Sequence, residues 1–166
     1  MAQSEVFRAA FKFTNLGIDL VTSDMAEEDA LKRARGGEGA SLLWTIGHLM
    51  LYRCGALQKL GVDRPMEYEE YNGSAGDIET YPTLAEIKPK WDALAEELDA
   101  ALKQATDEQL HGPAQGLYGG ERLFSSLIFV MGHESCHLGY LGNLRLELGY
   151  RPTAVLAVEA MRKASE

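Results

Sequence analysis

The stretch LFSSLIFVMGHESCHLGYLGNLRLEL, residues 123–148, decides the fold class of this chain. It is rich in apolar residues and is followed directly by Gly149, and glycine commonly stands just past the end of a helix. The pattern predicts one long helix, Leu123–Leu148, with the apolar character of a buried element. Inside it stand His133 and His137, four residues apart, so both imidazoles leave the same face of the helix.

Three further long helices are predicted from apolar spacing and from capping residues. They span Ser4 to Asp24, Leu42 to Leu60 behind the N-cap Ser41, and Thr83 to about Ala105, where Thr83 and Glu86 form a capping box. Because Pro89 lies inside the last of these, a kink or a later start is expected there.

Four long helices joined by loops, with little strand signal, predict an all-α protein built as a four-helix bundle. A length of 166 residues suits a single domain, residues 1–166, with one core. Long loops, above all residues 62–82, and a short C-terminal helix at 154–164 complete the predicted architecture. A β-sandwich or a doubly wound sheet would need strands that this sequence does not offer.

The composition argues against several classes of partner. A formal net charge of −9 disfavours nucleic acid, whose phosphates need clustered Lys and Arg. The N-terminal segment is interrupted by charged residues and does not resemble a signal peptide, and no apolar run is long enough to span a membrane. Cys54 and Cys136 lie in predicted helices without a disulfide-rich context, so we expect reduced thiols and a cytoplasmic location.

Three of the four histidines fall on apolar helices: His48 in the second long helix, and His133 and His137 in the last. Burying three imidazoles together leaves polar nitrogen atoms without partners, which is costly. A shared divalent cation offsets that cost, and bundle cores often hold such ions between facing helices. The pattern therefore predicts a metal site, with zinc or nickel the ions that imidazole suits best. Three ligands leave positions open for water or for a substrate thiol.

The neighbours of these histidines follow from helical spacing. Trp44 and Tyr52 stand four residues before and after His48 and should share its face. Cys136 lies about 60° around the helix from His133 and could line a cavity at the site; it is a poor second choice as a metal ligand, and a buried, inert thiol is predicted. Small residues fall on the opposite side of the last helix and would permit a close approach within the bundle or across a dimer: Gly132, Ser135, Gly139 and Gly142.

His133-Glu134-Ser135-Cys136-His137 also spells the zinc-peptidase motif His-Glu-x-x-His, in which Glu134 would be the general base. The extended motif would require Gly at position 140 and His at position 143, where this chain has Tyr140 and Asn143. A peptidase is therefore the less favoured reading of the same five residues.

Two motifs taken together resemble the DinB/YfiT-like superfamily of small helical bundles. One is Trp44-Thr45-Ile46-Gly47-His48-Leu49; the other is His133-Glu134-Ser135-Cys136-His137-Leu138-Gly139-Tyr140-Leu141. The resemblance extends over nearly the whole chain. It implies an up-down-down-up bundle, frequently a homodimer, in which His48, His133 and His137 hold a divalent metal ion. Tyr140 departs from the family pattern, which often has Gln there; its hydroxyl would reach the site or its ring would pack.

Characterised members of that superfamily include thiol-dependent S-transferases and a mycothiol-dependent maleylpyruvate isomerase, and many have no assigned activity. The resemblance thus implies a metal-dependent enzyme of transferase or hydrolase type acting on a small molecule, with a low-molecular-weight thiol as a candidate co-substrate. A non-catalytic stress-response or binding bundle is the alternative. Glu134 and Tyr140 are the candidate catalytic residues.

Overall fold

A computed structural model describes residues 2–75, 80–114 and 122–163 of the chain. Those residues form α-helices and one short 3-10 turn, Glu69–Asn72. None of the described residues belongs to a strand. The helices are α1 (Gln3–Thr22), α2 (Glu27–Ala30), α3 (Ala34–Gly37), α4 (Leu42–Lys59), α5 (Leu84–Gln104), α6 (Asp107–His111), α7 (Leu123–Glu147) and α8 (Thr153–Lys163). The predicted all-α class is confirmed.

Local sequence signals explain where the long helices begin and end. The Ser41 hydroxyl accepts a hydrogen bond from the backbone N–H of Trp44 at the start of α4. Thr83 and Glu86 form a complete capping box at the start of α5. Because that box stabilises the first turn, α5 begins at Leu84 even though Pro89 lies inside it, and the later start does not occur. Gly149, with φ of +85°, follows the end of α7.

The core lies between the four long helices α1, α4, α5 and α7. Nearly every residue of α4 is buried, from Leu42 to Leu57, which explains why that segment is apolar on all sides. α8 has no buried residue, although it contacts α1. The short helix α6 packs against α7.

Among the described residues, no helix combines the length and the apolar character needed to cross a lipid bilayer.

Candidate metal centre

The structure brings together the three histidines that the sequence singled out. His48 projects from α4, and His133 and His137 project from consecutive turns of α7. The Nε2 atom of His133 lies 3.2 Å from that of His48 and 3.0 Å from that of His137. One nitrogen from each of the three imidazoles falls within 4.8 Å of the other two.

This spacing fits the ligand set of a single metal ion. A tetrahedral zinc ion with Zn–N bonds of about 2.0–2.1 Å holds adjacent nitrogen atoms about 3.3 Å apart. Hydrogen bonding alone serves the cluster poorly, because a proton on the Nε2 atom of His133 can point along only one of its two short contacts. A cation that accepts all three lone pairs satisfies every Nε2 atom at once.

A backbone carbonyl orients His48. The Nδ1 atom of His48 donates a hydrogen bond of 2.8 Å to the carbonyl oxygen of Tyr71, in the loop between α4 and α5. That bond places the proton on Nδ1 and leaves the lone pair on Nε2, where the other histidines meet. Gly47 permits the approach, because a Cβ atom there would overlap the ring of Tyr71. Tyr71 escaped the sequence analysis because it lies in a loop without a recognisable motif.

Aromatic rings surround the cluster. Trp44 stacks on His48 with ring centroids 4.6 Å apart, and the ring of Tyr52 lies 5.0 Å from that of His48. The expectation that both flank His48 is confirmed. Tyr52 also lies 4.3 Å from the ring of His133, which stacks on Phe129 at 5.6 Å. These rings restrict the orientation of the imidazoles and limit the access of water to them.

The three imidazoles are held in their neutral form. Burial lowers the pKa of His48 and that of His133. Burial, together with the neighbouring imidazoles of His133 and His48, lowers the pKa of His137 to about 4. Neutral imidazole is the form that binds a metal ion, so the ligand atoms are available at neutral pH.

Glu134 is buried in an ion pair with Arg53 of α4. Its Oε1 atom accepts from the Nε atom of Arg53 at 2.6 Å, and its Oε2 atom accepts from Nη2 at 2.9 Å. The hydroxyl of Thr14 donates to the same Oε2 atom at 2.5 Å. Both oxygens of the carboxylate are therefore engaged away from the three Nε2 atoms.

Tyr140 lies beside the cluster, and its hydroxyl is also engaged. It donates a hydrogen bond of 2.6 Å to the carbonyl oxygen of Ala40. Together with Cys136 and His137, these two residues line a cavity of about 230 Å³. The thiol of Cys136 is exposed, so the expectation of a buried thiol is wrong: the residue lies on the open side of α7.

A second cavity, of about 290 Å³, opens beside Tyr52. It is lined by Leu51, Tyr52, Met66, Glu69 and Asn72. The ring of Tyr52 separates this cavity from His133, on which it also packs. His111, the fourth histidine, stacks on Phe124 and belongs to no metal-binding group of the described residues.

The fold and the cluster define a class of helical bundle with a three-imidazole site between two of its helices. The sequence model of the DinB superfamily matches residues 19–141, about three quarters of the chain. The chain belongs to the DinB superfamily. No curated protein matches it.

Proposed function

We propose that this protein binds one divalent metal ion, zinc or nickel, through the Nε2 atoms of His48, His133 and His137, and that it is a metal-dependent enzyme. The observation that carries the proposal is the convergence of three neutral imidazoles at distances of 3.0 and 3.2 Å. Family membership supports it as well, because all three histidines lie within residues 19–141, the segment that matches the DinB superfamily.

The reaction type that we propose is S-transfer from a low-molecular-weight thiol or hydrolysis of a small molecule. When bound, an ion with three protein ligands lowers the pKa of a water or thiol in its open position. The chain supplies the rest: Tyr71 orients His48, and Trp44 and Phe129 cover two of the imidazoles. The cavity beside Tyr52 offers apolar walls from Leu51 and Met66 for the substrate.

Metal content tests the site first. The untagged protein, reconstituted with zinc or with nickel and desalted, should carry one ion per chain by mass spectrometry. His48→Ala, His133→Ala and His137→Ala should each lose it. His111→Ala is the matched control, since that histidine lies outside the cluster, and it should retain the ion. A wild-type protein that binds neither ion contradicts the proposal.

A panel of reactions tests the enzyme. The metal-loaded protein is assayed with thiols such as glutathione against aryl halides and epoxides, and separately with esters and amides. Turnover that disappears in His137→Ala and persists in His111→Ala supports a metal-dependent transferase or hydrolase.

A non-catalytic binding bundle is the second candidate. It is favoured by the engagement of both candidate acid–base groups: the carboxylate of Glu134 in its ion pair and the hydroxyl of Tyr140 on Ala40. Absence of turnover in a protein that binds one ion per chain would select it. A peptidase is disfavoured on the same ground, because Glu134 would have to leave Arg53 to act as a base.

We propose the up-down-down-up order for the four long helices. Contacts at successive levels support it: Phe7 packs on Phe124 and Thr14 bonds to Glu134 in the pair α1 and α7. Residue numbers rise together in these two contacts, so α1 and α7 run parallel. In the pair α4 and α7, His48 contacts His133 and Lys59 contacts Ser126, so residue numbers rise on α4 as they fall on α7 and the two helices run antiparallel. Cysteine pairs placed at these levels should cross-link on oxidation.

We further propose a homodimer through α1, α7 and α8. Phe13 is 67% exposed and Leu16 is 47% exposed on α1. They border a groove of about 400 Å³ that Gly139 and Ala154 also line, and Gly139 has open space around its Cβ position. A closed dimer forms when such a face packs on the same face of a second copy about a twofold axis. By analytical ultracentrifugation, Gly139→Arg should be monomeric, whereas Ala100→Arg on α5 should sediment as the wild type does. A monomeric wild type contradicts this proposal.

We propose a cytoplasmic location, since Cys54 and Cys136 both carry free thiols. Fractionation of cells that express the natural gene, followed by immunoblotting, tests it, and recovery from an extracytoplasmic fraction would contradict it.

A further inference from the structure

Beside the histidine cluster lies a second buried assembly, formed by Thr14, Arg53, Trp91 and Glu134, which we name the ion-pair clamp. The side chains of Arg53 and Glu134 are both 0% exposed, and their bond is bidentate. Thr14 donates to the carboxylate and accepts from Nη2 of Arg53 at 3.2 Å. The indole of Trp91 covers the guanidinium, with Cζ 3.7 Å from the ring centroid.

Each of these four residues comes from a different long helix: α1, α4, α5 and α7. The clamp therefore connects every main element of the bundle at one level. A bidentate carboxylate–guanidinium pair tolerates only a small range of relative positions of the two groups, because two parallel hydrogen bonds must form at once. In a dry core, a shift of one helix along another would leave both charges unpaired, which is far more costly than the loss of an apolar contact. Apolar packing alone tolerates such shifts.

The clamp lies close to the three histidines along both α4 and α7. Glu134 directly follows His133 on α7, and Arg53 follows His48 by five residues on α4, about 7.5 Å along the helix axis. The same two helices therefore carry both the clamp and the ligands. Since His48 must meet His133 and His137 across that helix pair, the register of α4 against α7 decides whether the three Nε2 atoms converge.

We propose that Arg53 and Glu134 are positioning residues that set the register of α4 against α7 and thereby the geometry of the three-histidine site. Both carboxylate oxygens of Glu134 bond to Arg53 and Thr14, so we assign neither Arg53 nor Glu134 a contact with the metal ion or the substrate. This inference rests on the proposed metal site, and it assigns the Glu of the His-Glu-x-x-His motif to positioning rather than to catalysis.

The test replaces the pair without emptying the core. The double variant Arg53→Met/Glu134→Leu keeps apolar volume at both positions, a kind of exchange that buried ion pairs tolerate well. The control is the other buried arginine: Arg145 is 0% exposed and pairs with Asp24 at 2.7 Å, near the far end of α7, so Asp24→Asn removes a charge partner remote from the site. Circular dichroism and urea unfolding of the chelated proteins establish that each variant folds.

Zinc affinity by chelator competition and the visible spectrum of the Co²⁺-loaded protein are the readouts. The double variant should fold cooperatively, bind zinc about tenfold to a hundredfold more weakly, and show an altered Co²⁺ spectrum. Asp24→Asn should keep the wild-type affinity and spectrum. A folded double variant with wild-type affinity and an unchanged Co²⁺ spectrum overturns the proposal, because the ion pair would then be purely structural.

A third readout is independent of metal. In the chelated wild type, NMR should show nuclear Overhauser contacts between the imidazole protons of His48 and those of His133 and His137, and the double variant should lose those between His48 and α7. If the wild type binds no metal, the proposed function is wrong, but this measurement still tests whether the clamp positions the three imidazoles. Retained imidazole contacts in the folded double variant overturn it. Should the double variant not fold, Thr14→Val is measured in the same way. It replaces the hydroxyl that donates to Glu134 and accepts from Arg53 by a methyl group of similar size, and Thr14→Ser, which keeps a hydroxyl, should give the wild-type result.

Discussion

The imidazole of His48 donates from Nδ1 to the backbone carbonyl of Tyr71 across 2.8 Å, so a loop residue determines which nitrogen of a helix residue faces the cluster. Tyr71 itself is buried, and its ring lies where Gly47 leaves room. The described part of the loop between α4 and α5 is thus part of the site, although none of its residues belongs to the three-histidine group.

Gly47→Ala should damage the site through Tyr71. The new Cβ atom would overlap the Tyr71 ring, and relieving an overpacked contact costs about 1–3 kcal/mol. As the loop moves, His48 loses its carbonyl partner and zinc affinity should fall about tenfold, as measured by chelator competition.

Gly132→Ala is the matched control. Gly132 lies in α7, next to His133, with open space around its Cβ position. Replacing glycine by alanine inside a helix stabilises by about 0.5–1 kcal/mol, so this variant should be more stable and should bind zinc as the wild type does. Equal behaviour of the two glycine variants would contradict the role given to Tyr71.

Removing one charge of the clamp should lower the free energy of unfolding more than replacing both charged residues by apolar ones. Glu134→Gln leaves the guanidinium of Arg53 buried without a counter-charge, and disruption of a buried pair typically costs about 3–5 kcal/mol. Urea unfolding of the chelated protein measures this loss. A stable Glu134→Gln variant that lacks only turnover would instead identify Glu134 as a catalytic base.

The stability of the metal-free protein should depend on pH through the histidines. Burial lowers the folded-state pKa of all three, that of His137 to about 4, whereas an unfolded histidine titrates near pH 6.5. Below about pH 6.5 the unfolded chain takes up protons that the folded chain does not. The free energy of unfolding should therefore fall as the pH is lowered from about 6.5 towards 4, and should be unaffected by these groups above that window.

Urea titrations of chelated wild type and His137→Asn at pH 7, 6 and 5 measure the difference. The wild type should lose more stability than the variant over this range, because it carries His137 in addition to His48 and His133, which both proteins share. Parallel losses in both proteins would show that His137 is protonated as easily in the folded state as in the unfolded state.

Tyr140→Phe should separate packing from catalysis. The variant loses the hydrogen bond to the Ala40 carbonyl, and such a loss typically costs about 0.5–1.5 kcal/mol. Zinc content should be unchanged, because the hydroxyl bonds to Ala40 and not to a histidine. If Tyr140 only packs, any turnover of the metal-loaded protein should be unchanged as well; a large drop in turnover at full metal content would make its hydroxyl a catalytic group.

Helix positions were predictable because their signals are local. The capping box at Thr83 and Glu86, the N-cap Ser41 and the terminal Gly149 act within a few residues, and the predicted ends of the long helices agree with the observed ones within about two residues. Pro89 was the one local signal against an early start of α5, and the capping box at Thr83 and Glu86 nevertheless starts the helix at Leu84.

The partners of buried polar groups could not be predicted in the same way. From the sequence, Arg53 is a single charged residue in an apolar helix, and Glu134 is the general base of a peptidase motif. Their ion pair joins residues 81 positions apart in the sequence. Its geometry also depends on the indole of Trp91 and the hydroxyl of Thr14, which contact it. Nothing in the local pattern around Arg53 indicates which of the carboxylates it meets.

The sequence by itself determined the helical class, the helix limits and the identity of the three histidines, because these depend on periodicity, capping and residue chemistry along one segment at a time. Only the tertiary structure decided that the three Nε2 atoms meet, that Tyr71 orients His48, and that Glu134 belongs to Arg53. Those outcomes depend on the register between helices distant in the chain, and that register follows from how all four helices bury their apolar faces and pair their buried charges together.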